Sequence, residues 1–209
     1  MKVFTFSFND KKGGAAISAY RLHTLLRNSG IDIKMFVARK FTNDDSVIGP
    51  TNNLAKLIQL LKQKICQLLI YALFNKEKSF ISPSLFNTSW YKFLNKSNVD
   101  IVHLHWVNLE FFSIKDISKI NKPIIWTLHD MWAFSGSQHL VYDNSYTTEF
   151  KFQIFSSFIS KLDYWVWKSK MNNFKSNITI VAPSEWLASC IKKSLIFKSN
   201  PIFVIPNPI

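Results

Sequence analysis

Cysteine is scarce in this chain of 209 residues, which contains only Cys66 and Cys190. The two lie far apart, and neither has the cysteine or histidine spacing of a metal cage or a disulfide framework. This argues against a disulfide-stapled secreted domain and favours a reducing, cytoplasmic setting. The chain opens with a short alternating run followed by charged residues and glycine, which predicts a first strand rather than a secretory signal.

Acidic residues and arginine are also few. Asp and Glu number 13 against 26 for Lys and Arg, which gives a net charge of +13. Such a balance suits a polyanionic partner: a nucleic acid, an anionic lipid surface or the diphosphate of an activated substrate. Only three of the basic residues are arginine, the side chain that reads bases and phosphates in bidentate fashion. We therefore expect no nucleic acid partner and expect many lysines to form a solvated face.

Strand-like and helix-like segments alternate along the chain. The predicted strands are residues 2–8, 31–37, 100–105, 124–128, 178–181 and 201–206. The predicted helices are residues 15–26, 54–74, 87–95, 113–120, 152–174 and 185–194, the last capped by Ser184. Residues 42–50 break the pattern, and residues 142–150 are polar and irregular. This alternation predicts an α/β fold with a doubly wound, mostly parallel sheet in one domain.

The segment 54–74 predicts a long amphipathic helix with lysine on its polar face. Its longest uninterrupted apolar run, residues 68–74, has seven residues, whereas a membrane-spanning helix needs about 20. Two placements fit this pattern equally well. The helix lies on a membrane surface, or its apolar stripe is buried against the sheet.

Two predicted strands end in histidine and tryptophan, where open parallel sheets bind their ligands. His103 and His105 are two apart and should point to the same face, which permits either a zinc hydrolase site or a core histidine beside one at the cleft. His129 and Asp130 end the next strand, where histidine can donate to a sugar hydroxyl. The nearby aromatic side chains are expected to offer stacking faces. These are Trp106, Trp132 and Phe134.

Gly13 and Gly14 stand between the first strand and the first helix. They either make a tight turn that needs positive φ or free backbone amides for an anion, and the adjacent Lys11 and Lys12 favour the anion. The sequence here matches neither the Walker loop nor the three-glycine dinucleotide fingerprint.

Four segments in order resemble one known family. They are residues 13–23, 100–108, 122–136 and 180–187. Together they look like the amino-terminal half of family 4 retaining glycosyltransferases, closest in pattern to those of bacterial surface-polysaccharide clusters. One departure is that close relatives often carry several cysteines after the position of residues 132–136, where this chain has none.

The resemblance implies one half of a two-domain glycosyltransferase B fold, with two Rossmann-like halves. Residues 1–205 would form the acceptor-side domain and residues 206–209 the start of the interdomain crossover. The donor-binding domain would be missing from this chain or separate. The implied reaction moves a sugar from a nucleotide-diphosphate sugar to a glycan or lipid-linked acceptor in cell-surface polysaccharide synthesis. No metal or other cofactor is implied, since the donor's leaving phosphate is thought to act as base.

The resemblance also assigns residues. Gly13 and Gly14 would approach the donor diphosphate, and His129 would be the catalytic residue beside the donor sugar. Trp106, Asn108 and Asp130 would lie on the acceptor side. The expected location is the cytoplasm or the inner face of the plasma membrane. The alternative is an inactive or partner-dependent Rossmann-like binding domain.

Overall fold

The described residues form one seven-stranded parallel sheet with helices on both faces. The structure is a computed structural model that describes residues 1–74, 81–142, 146–147, 158–174 and 177–209. The strands are β1 (Lys2–Asn9), β2 (Asp32–Arg39), β3 (Val47–Ile48), β4 (Ile101–Leu104), β5 (Ile124–Thr127), β6 (Ile178–Ala182) and β7 (Ile202–Val204). The helices are α1 (Gly14–Asn28), α2 (Asn53–Phe74), α3 (Trp90–Lys96), α4 (Ile114–Ser118), α5 (Phe158–Asn173) and α6 (Glu185–Lys193), with a 3-10 turn at Trp132–Phe134.

The strand order is β3-β2-β1-β4-β5-β6-β7, so the first strand lies inside the sheet between β2 and β4. The chain winds outward from β1 to β3, returns to β4 beside β1, and then winds out in the opposite direction. The connections therefore diverge between the carboxyl ends of β1 and β4. This switch point is where open α/β sheets bind ligands.

The core follows the two-residue period of the strands. Even-numbered side chains of the central strands pack into the main core, among them Phe6, Leu104 and Ile180, all fully buried. The opposite face carries a smaller apolar cluster under α1 that includes Met35 and Val37. Strands buried on both faces explain why apolar runs in this sequence are nearly continuous.

The predicted doubly wound parallel sheet is confirmed. Six of its strands match the predicted segments, with ends that differ by a few residues, and Ser184 caps α6 by accepting from the amide of Leu187 at 3.2 Å. The edge strand β3 lies in a segment that the sequence predicted to be a break, because two residues are too few to show a period. The first part of the predicted helix 152–174, residues 152–157, lies outside the described residues, as does most of the segment 142–150.

Helix α2 turns its apolar stripe away from the domain. Its protein-facing side contains Gln63 and Cys66, both buried, whereas Leu68 is 65% exposed and Leu61 47%. The exposed apolar residues recur at helical spacing, and α2 contains no acidic residue. They are Leu54, Leu57, Ile58, Leu60, Leu61, Ile65, Leu68, Leu69 and Tyr71. Burial of this stripe in the domain's own core, one of the two expected placements, is therefore wrong. Among the described helices, none is long and apolar enough to cross a membrane.

A buried lysine on α5 holds the segment after β5. Nζ of Lys170 donates to the backbone oxygens of Trp132, Ser135 and Gly136, and it lies 3.7 Å from the centroid of the Trp132 ring. Burial lowers the pKa of Lys170 well below its usual range, which the carboxylates of Asp130 and Asp163 oppose. Because three N–H groups meet three carbonyls, the ends of this connection are fixed to α5.

Asp163, seven residues before Lys170 on α5, completes this attachment. Asp163 accepts from the amide and hydroxyl of Ser137 and from the side-chain amide of Gln138. The approach is close, since a Cβ at Gly136 would lie 2.9 Å from Cα of Asp163. Glycine at 136 is therefore required by packing.

Candidate active site

The glycine pair begins α1 at the carboxyl end of β1. Gly13 has φ of 90°, which favours glycine, and no side chain caps the helix. The first intrahelical bond runs from the amide of Ile17 to the oxygen of Gly13 at 3.1 Å, so the amides of residues 14–16 have no acceptor within the helix. Gly14 has no positive φ, and a Cβ there would meet no atom within 4 Å. Neither strain nor packing therefore explains Gly14.

A cavity of about 310 Å³ lies against these amides. Gly13, Gly14, Lys12, Ser7 and Trp106 line it, and we call it the glycine cavity. Ser7 is fully buried, and its hydroxyl has no hydrogen-bond partner among the described residues. Free amides and a lysine suit an anionic, oxygen-rich ligand.

Three histidines follow one another across β4 and β5. Nε2 of His103 lies 2.9 Å from Oγ1 of Thr127, and the rings of His103 and His105 are 4.3 Å apart. Nδ1 of His105 lies 3.0 Å from Nε2 of His129. His103 and His105 share one face, as expected. Both are buried, so neither borders a cleft and the second of the expected arrangements is wrong on this point.

The partners of these rings favour one assignment of their hydrogens. Nε2 of His105 is buried and has no hydrogen-bond partner in the described part of the chain. A lone N–H there would be costlier than a lone acceptor, so Nδ1 of His105 donates to Nε2 of His129. A neutral His129 then carries its own hydrogen on Nδ1. No hydrogen bond to that nitrogen is made by the described residues.

Burial keeps all three imidazoles neutral. It lowers the pKa of His103 and of His129 from 6.5 to about 4. For His105, burial and the two neighbouring histidines move the pKa well below its usual range. At neutral pH, His129 is therefore a hydrogen-bond donor without positive charge.

Asp130 occupies the centre of a buried network behind this strand end. Its carboxylate accepts from Nε1 of Trp106 at 2.8 Å, from the amide of Trp132 at 3.0 Å and from Nδ1 of His139 at 2.6 Å. Despite the opposing cost of burial, the hydrogen bonds from His139, Trp132 and Trp106 keep the pKa of Asp130 below its usual range. Asn108 is 2% exposed, with Nδ2 lying 3.3 Å from Nε2 of His139. Asp130 therefore holds the indole of Trp106, and Asn108 contacts the histidine that bonds to Asp130.

The protein-family model described as Glycosyltransferase Family 4 matches residues 12–209. The chain belongs to glycosyltransferase family 4. The predicted family is thereby confirmed, and the sheet is the Rossmann-like α/β fold consistent with the glycosyltransferase B architecture. A search of the curated proteins found no match.

The glycosyltransferase domain brings some of the predicted site residues together. Gly13, Gly14 and Trp106 share the glycine cavity, whereas His129 does not line it and stands at the end of β5, two strands away from β1. The side chain of Asn108 is buried, whereas that of Asp130 is partly exposed. The expectation that Trp132 and Phe134 offer stacking faces is wrong, because both rings are buried in the core.

The sequence did not indicate the importance of His139, Asp163 or Lys170. His139 sits in a loop without motif character, and the other two are single polar residues in an aromatic-rich helix. No group of three or more histidine, cysteine or acidic side chains in the described ranges is arranged to bind a metal ion. This arrangement therefore offers no support for the zinc hydrolase alternative.

Acid should destabilise this glycosyltransferase domain. Between pH 6.5 and 4, His103 and His129 bind protons in the unfolded chain but remain neutral in the folded domain. The free energy of unfolding therefore falls as the pH falls. We expect a loss of about 2 kcal/mol per histidine of this kind between pH 7 and pH 5. Urea unfolding at the two pH values measures it.

Salt provides the control for this experiment. In 0.5 M salt the Debye length is about 4 Å, so repulsion among the many surface cations would be screened. The cost of protonating buried imidazoles would remain. An unfolding midpoint that salt restores fully at pH 5 would contradict the assignment to these histidines.

Proposed function

We propose that this domain takes part in transfer of a sugar from a nucleotide-diphosphate sugar to a glycan or lipid-linked acceptor in cell-surface polysaccharide synthesis. The observation that carries the proposal is the glycine cavity at the β1–β4 switch point of a family 4 glycosyltransferase. Its unpaired helix amides and Lys12 match the oxygens of a diphosphate.

In this proposal His129 is the catalytic residue. Its Nδ1–H donates to the donor sugar near the reacting carbon, and the hydrogen bond from His105 holds the ring in the required tautomer. The leaving phosphate takes the acceptor proton, so the step needs neither a protein carboxylate nor a metal. Trp106 presents its face to the acceptor, while Asn108 and Asp130 position that ring through the buried network.

Most contacts to the nucleotide would come from a donor-binding domain that faces this edge of the sheet. Residues 206–209 already turn back over α1, where the side chain of Ser18 donates to Asn207 at 2.8 Å and Arg21 reaches the oxygen of Pro208 at 3.4 Å. This placement suits a crossover that leads to the open face of the glycine cavity. The site would work in the cytoplasm, where nucleotide sugars are made.

Gly14→Ala tests the donor site. The new methyl group enters open space, so the fold should be unchanged or more stable by about 0.5–1 kcal/mol, the usual gain of alanine over glycine in a helix. The same methyl would crowd the amides that receive the diphosphate. We expect nucleotide-sugar binding, measured by calorimetry, to weaken about tenfold, the equivalent of one charge-assisted hydrogen bond.

Gly30→Ala is the control for location, because Gly30 lies at the far end of α1 from the glycine cavity and, unlike Gly14, has positive φ. It should lower stability by about 1–2 kcal/mol without changing nucleotide-sugar affinity. Equal affinity in wild type and Gly14→Ala would sink the donor assignment. If the wild-type chain neither binds nor turns over any nucleotide sugar, the alternative of an inactive or partner-dependent binding domain takes its place.

We also propose that α2 lies on the inner face of the plasma membrane. Its exposed leucine stripe would enter the lipid interface, and Lys64 would meet anionic headgroups. The absence of acidic residues from α2 favours an anionic lipid surface over a neutral one. A membrane location would bring a lipid-linked acceptor to the site.

Sedimentation with vesicles tests this placement. The protein should sediment with vesicles of anionic phospholipid at low salt and less with neutral vesicles. Replacing Leu61 and Ile65 together with Gln should reduce vesicle binding more than tenfold, since each buried aliphatic side chain contributes about 1.5–3 kcal/mol. Leu85→Gln, at a position 61% exposed outside α2, should leave binding unchanged. Equal sedimentation of the double variant and wild type would refute the placement.

A further inference from the structure

Two more cavities lie on the side of the glycine cavity that faces β2 and α2. The first, about 900 Å³, is lined by Lys12, Arg39, Lys40 and Lys56, and we call it the basic cavity. The second, about 430 Å³, is lined by aromatic and aliphatic side chains, and we call it the aromatic cavity. These include Trp90, Phe93, Phe111 and Ile58.

Shared residues place the three cavities in a definite order. Lys12 lines both the glycine cavity and the basic cavity. Pro50 and Gln59 line both the basic cavity and the aromatic cavity. A path therefore runs from the switch point, past a cluster of cations, to an apolar site beneath α2.

The basic cavity has an excess of positive charge. Its four cationic side chains face one carboxylate, that of Asp45. Across the described ranges the two ion pairs are Arg27–Asp44 and His139–Asp130, so none of the four cations lies within 4 Å of a carboxylate. Unpaired cations in a concave site attract an anion with more than one charge.

Two contacts fix the guanidinium of Arg39 where it can bind such an anion. Its Nη2 donates to Oε1 of Gln63 at 2.7 Å, and its guanidinium lies 5.3 Å from the centroid of the Phe8 ring. Gln63 is itself buried in the inner face of α2. A guanidinium fixed on two sides loses little freedom when its remaining N–H groups bind phosphate oxygens.

The geometry points to an acceptor carried on a lipid phosphate. Its sugar would lie at the switch point, its phosphate or diphosphate in the basic cavity, and the first part of its hydrocarbon chain in the aromatic cavity. This order of polar, anionic and apolar sites matches a glycosyl lipid phosphate and does not match a free glycan. The inference rests on the proposed function and names its acceptor class.

Calorimetry with farnesyl diphosphate, a water-soluble prenyl diphosphate, tests the assignment without nucleotide sugar. The wild-type chain should bind it at least tenfold more tightly than inorganic pyrophosphate, because the prenyl chain adds apolar burial. Arg39→Gln and Lys40→Gln should each weaken binding about tenfold or more, as expected for a charge-assisted contact. Lys34→Gln, an exposed lysine on the same strand, should change nothing. Gly14→Ala should spare farnesyl diphosphate while weakening nucleotide sugar.

Two results would overturn the inference. Equal affinity for pyrophosphate and farnesyl diphosphate would make this a site for free diphosphate, and an unchanged affinity in Arg39→Gln would place the ligand elsewhere. Failure of the proposed function is a separate result, in which the wild-type chain neither binds nor turns over any nucleotide sugar. A chain that transfers sugar to a soluble acceptor but does not bind farnesyl diphosphate keeps its glycosyltransferase function and loses only the lipid phosphate assignment.

Discussion

Replacing His129 with Ala should lower the rate of sugar transfer about 10²–10⁴-fold, the usual effect of removing a positioned proton donor. The imidazole stands at the end of β5 with Nε2 bonded to His105, so its Nδ1–H is the group free to meet the substrate. A donor that acts mainly in the transition state contributes little to ground-state binding. We therefore expect nucleotide-sugar affinity to change less than the rate, which is followed as released nucleoside diphosphate.

Two conservative variants separate the ring's two nitrogens. In His129→Asn the side-chain amide can replace Nδ1 as donor, whereas in His129→Gln it reaches the position of Nε2 and keeps only the contact with His105. The asparagine variant should retain the greater activity, although its melting temperature falls slightly because His105 loses its partner. Greater activity in the glutamine variant would assign the chemistry to the His105 side and refute the proposed role of Nδ1.

Lys170→Met should cost about 3–6 kcal/mol of stability. Methionine fills a similar volume but leaves the backbone oxygens of Trp132, Ser135 and Gly136 buried without their donor, at about 1–3 kcal/mol each. For a domain of this size each kcal/mol shifts the melting temperature about 2–4 °C, so a fall of at least about 6 °C is expected by calorimetry. Near-UV circular dichroism should also change, because Lys170 packs on the Trp132 ring.

Lys168→Met is the matched control on the same helix. Lys168 is exposed, and within the described part of the chain its ammonium bonds to the Tyr164 side chain, so the same substitution should stay within about 0.5 kcal/mol of wild type. Equal melting temperatures for the two variants would show that the buried ammonium does not hold this segment.

The parts of the fold that the sequence predicted are those governed by local pattern. Apolar strands, the amphipathic α1 and the Ser184 cap depend on neighbours a few residues away, and all of them are present. The two residues of β3 are too few to show the alternating pattern of a strand. They are ordered by pairing with β2, where Met35 lies opposite Val47, and that contact cannot be read from their own segment.

In the candidate site, too, the sequence predicted the features set by local pattern and not those set by contacts between distant segments. Strand-end histidines and the glycine pair are visible as motifs, and the structure places them at the predicted edge of the sheet. The network around Asp130 is not visible, because its histidine partner His139 and the attachment of the following loop to Lys170 join different elements. The sequence also could not decide which face of α2 is buried, since Gln63 and Cys66 face the domain through single contacts with Arg39 and Glu110.

The position of β1 inside the sheet has a consequence for how the chain folds. During synthesis β1 emerges first and can pair at once with β2, but its other neighbour begins near Asp100, 98 residues after Lys2. At about 5–20 residues per second, one edge of a phenylalanine-rich strand stays open for roughly 5–20 s. Such an edge is a template for intermolecular pairing until β4 arrives. Slower elongation between residues 10 and 100 would lengthen this exposure and increase the chance that β1 pairs with another chain.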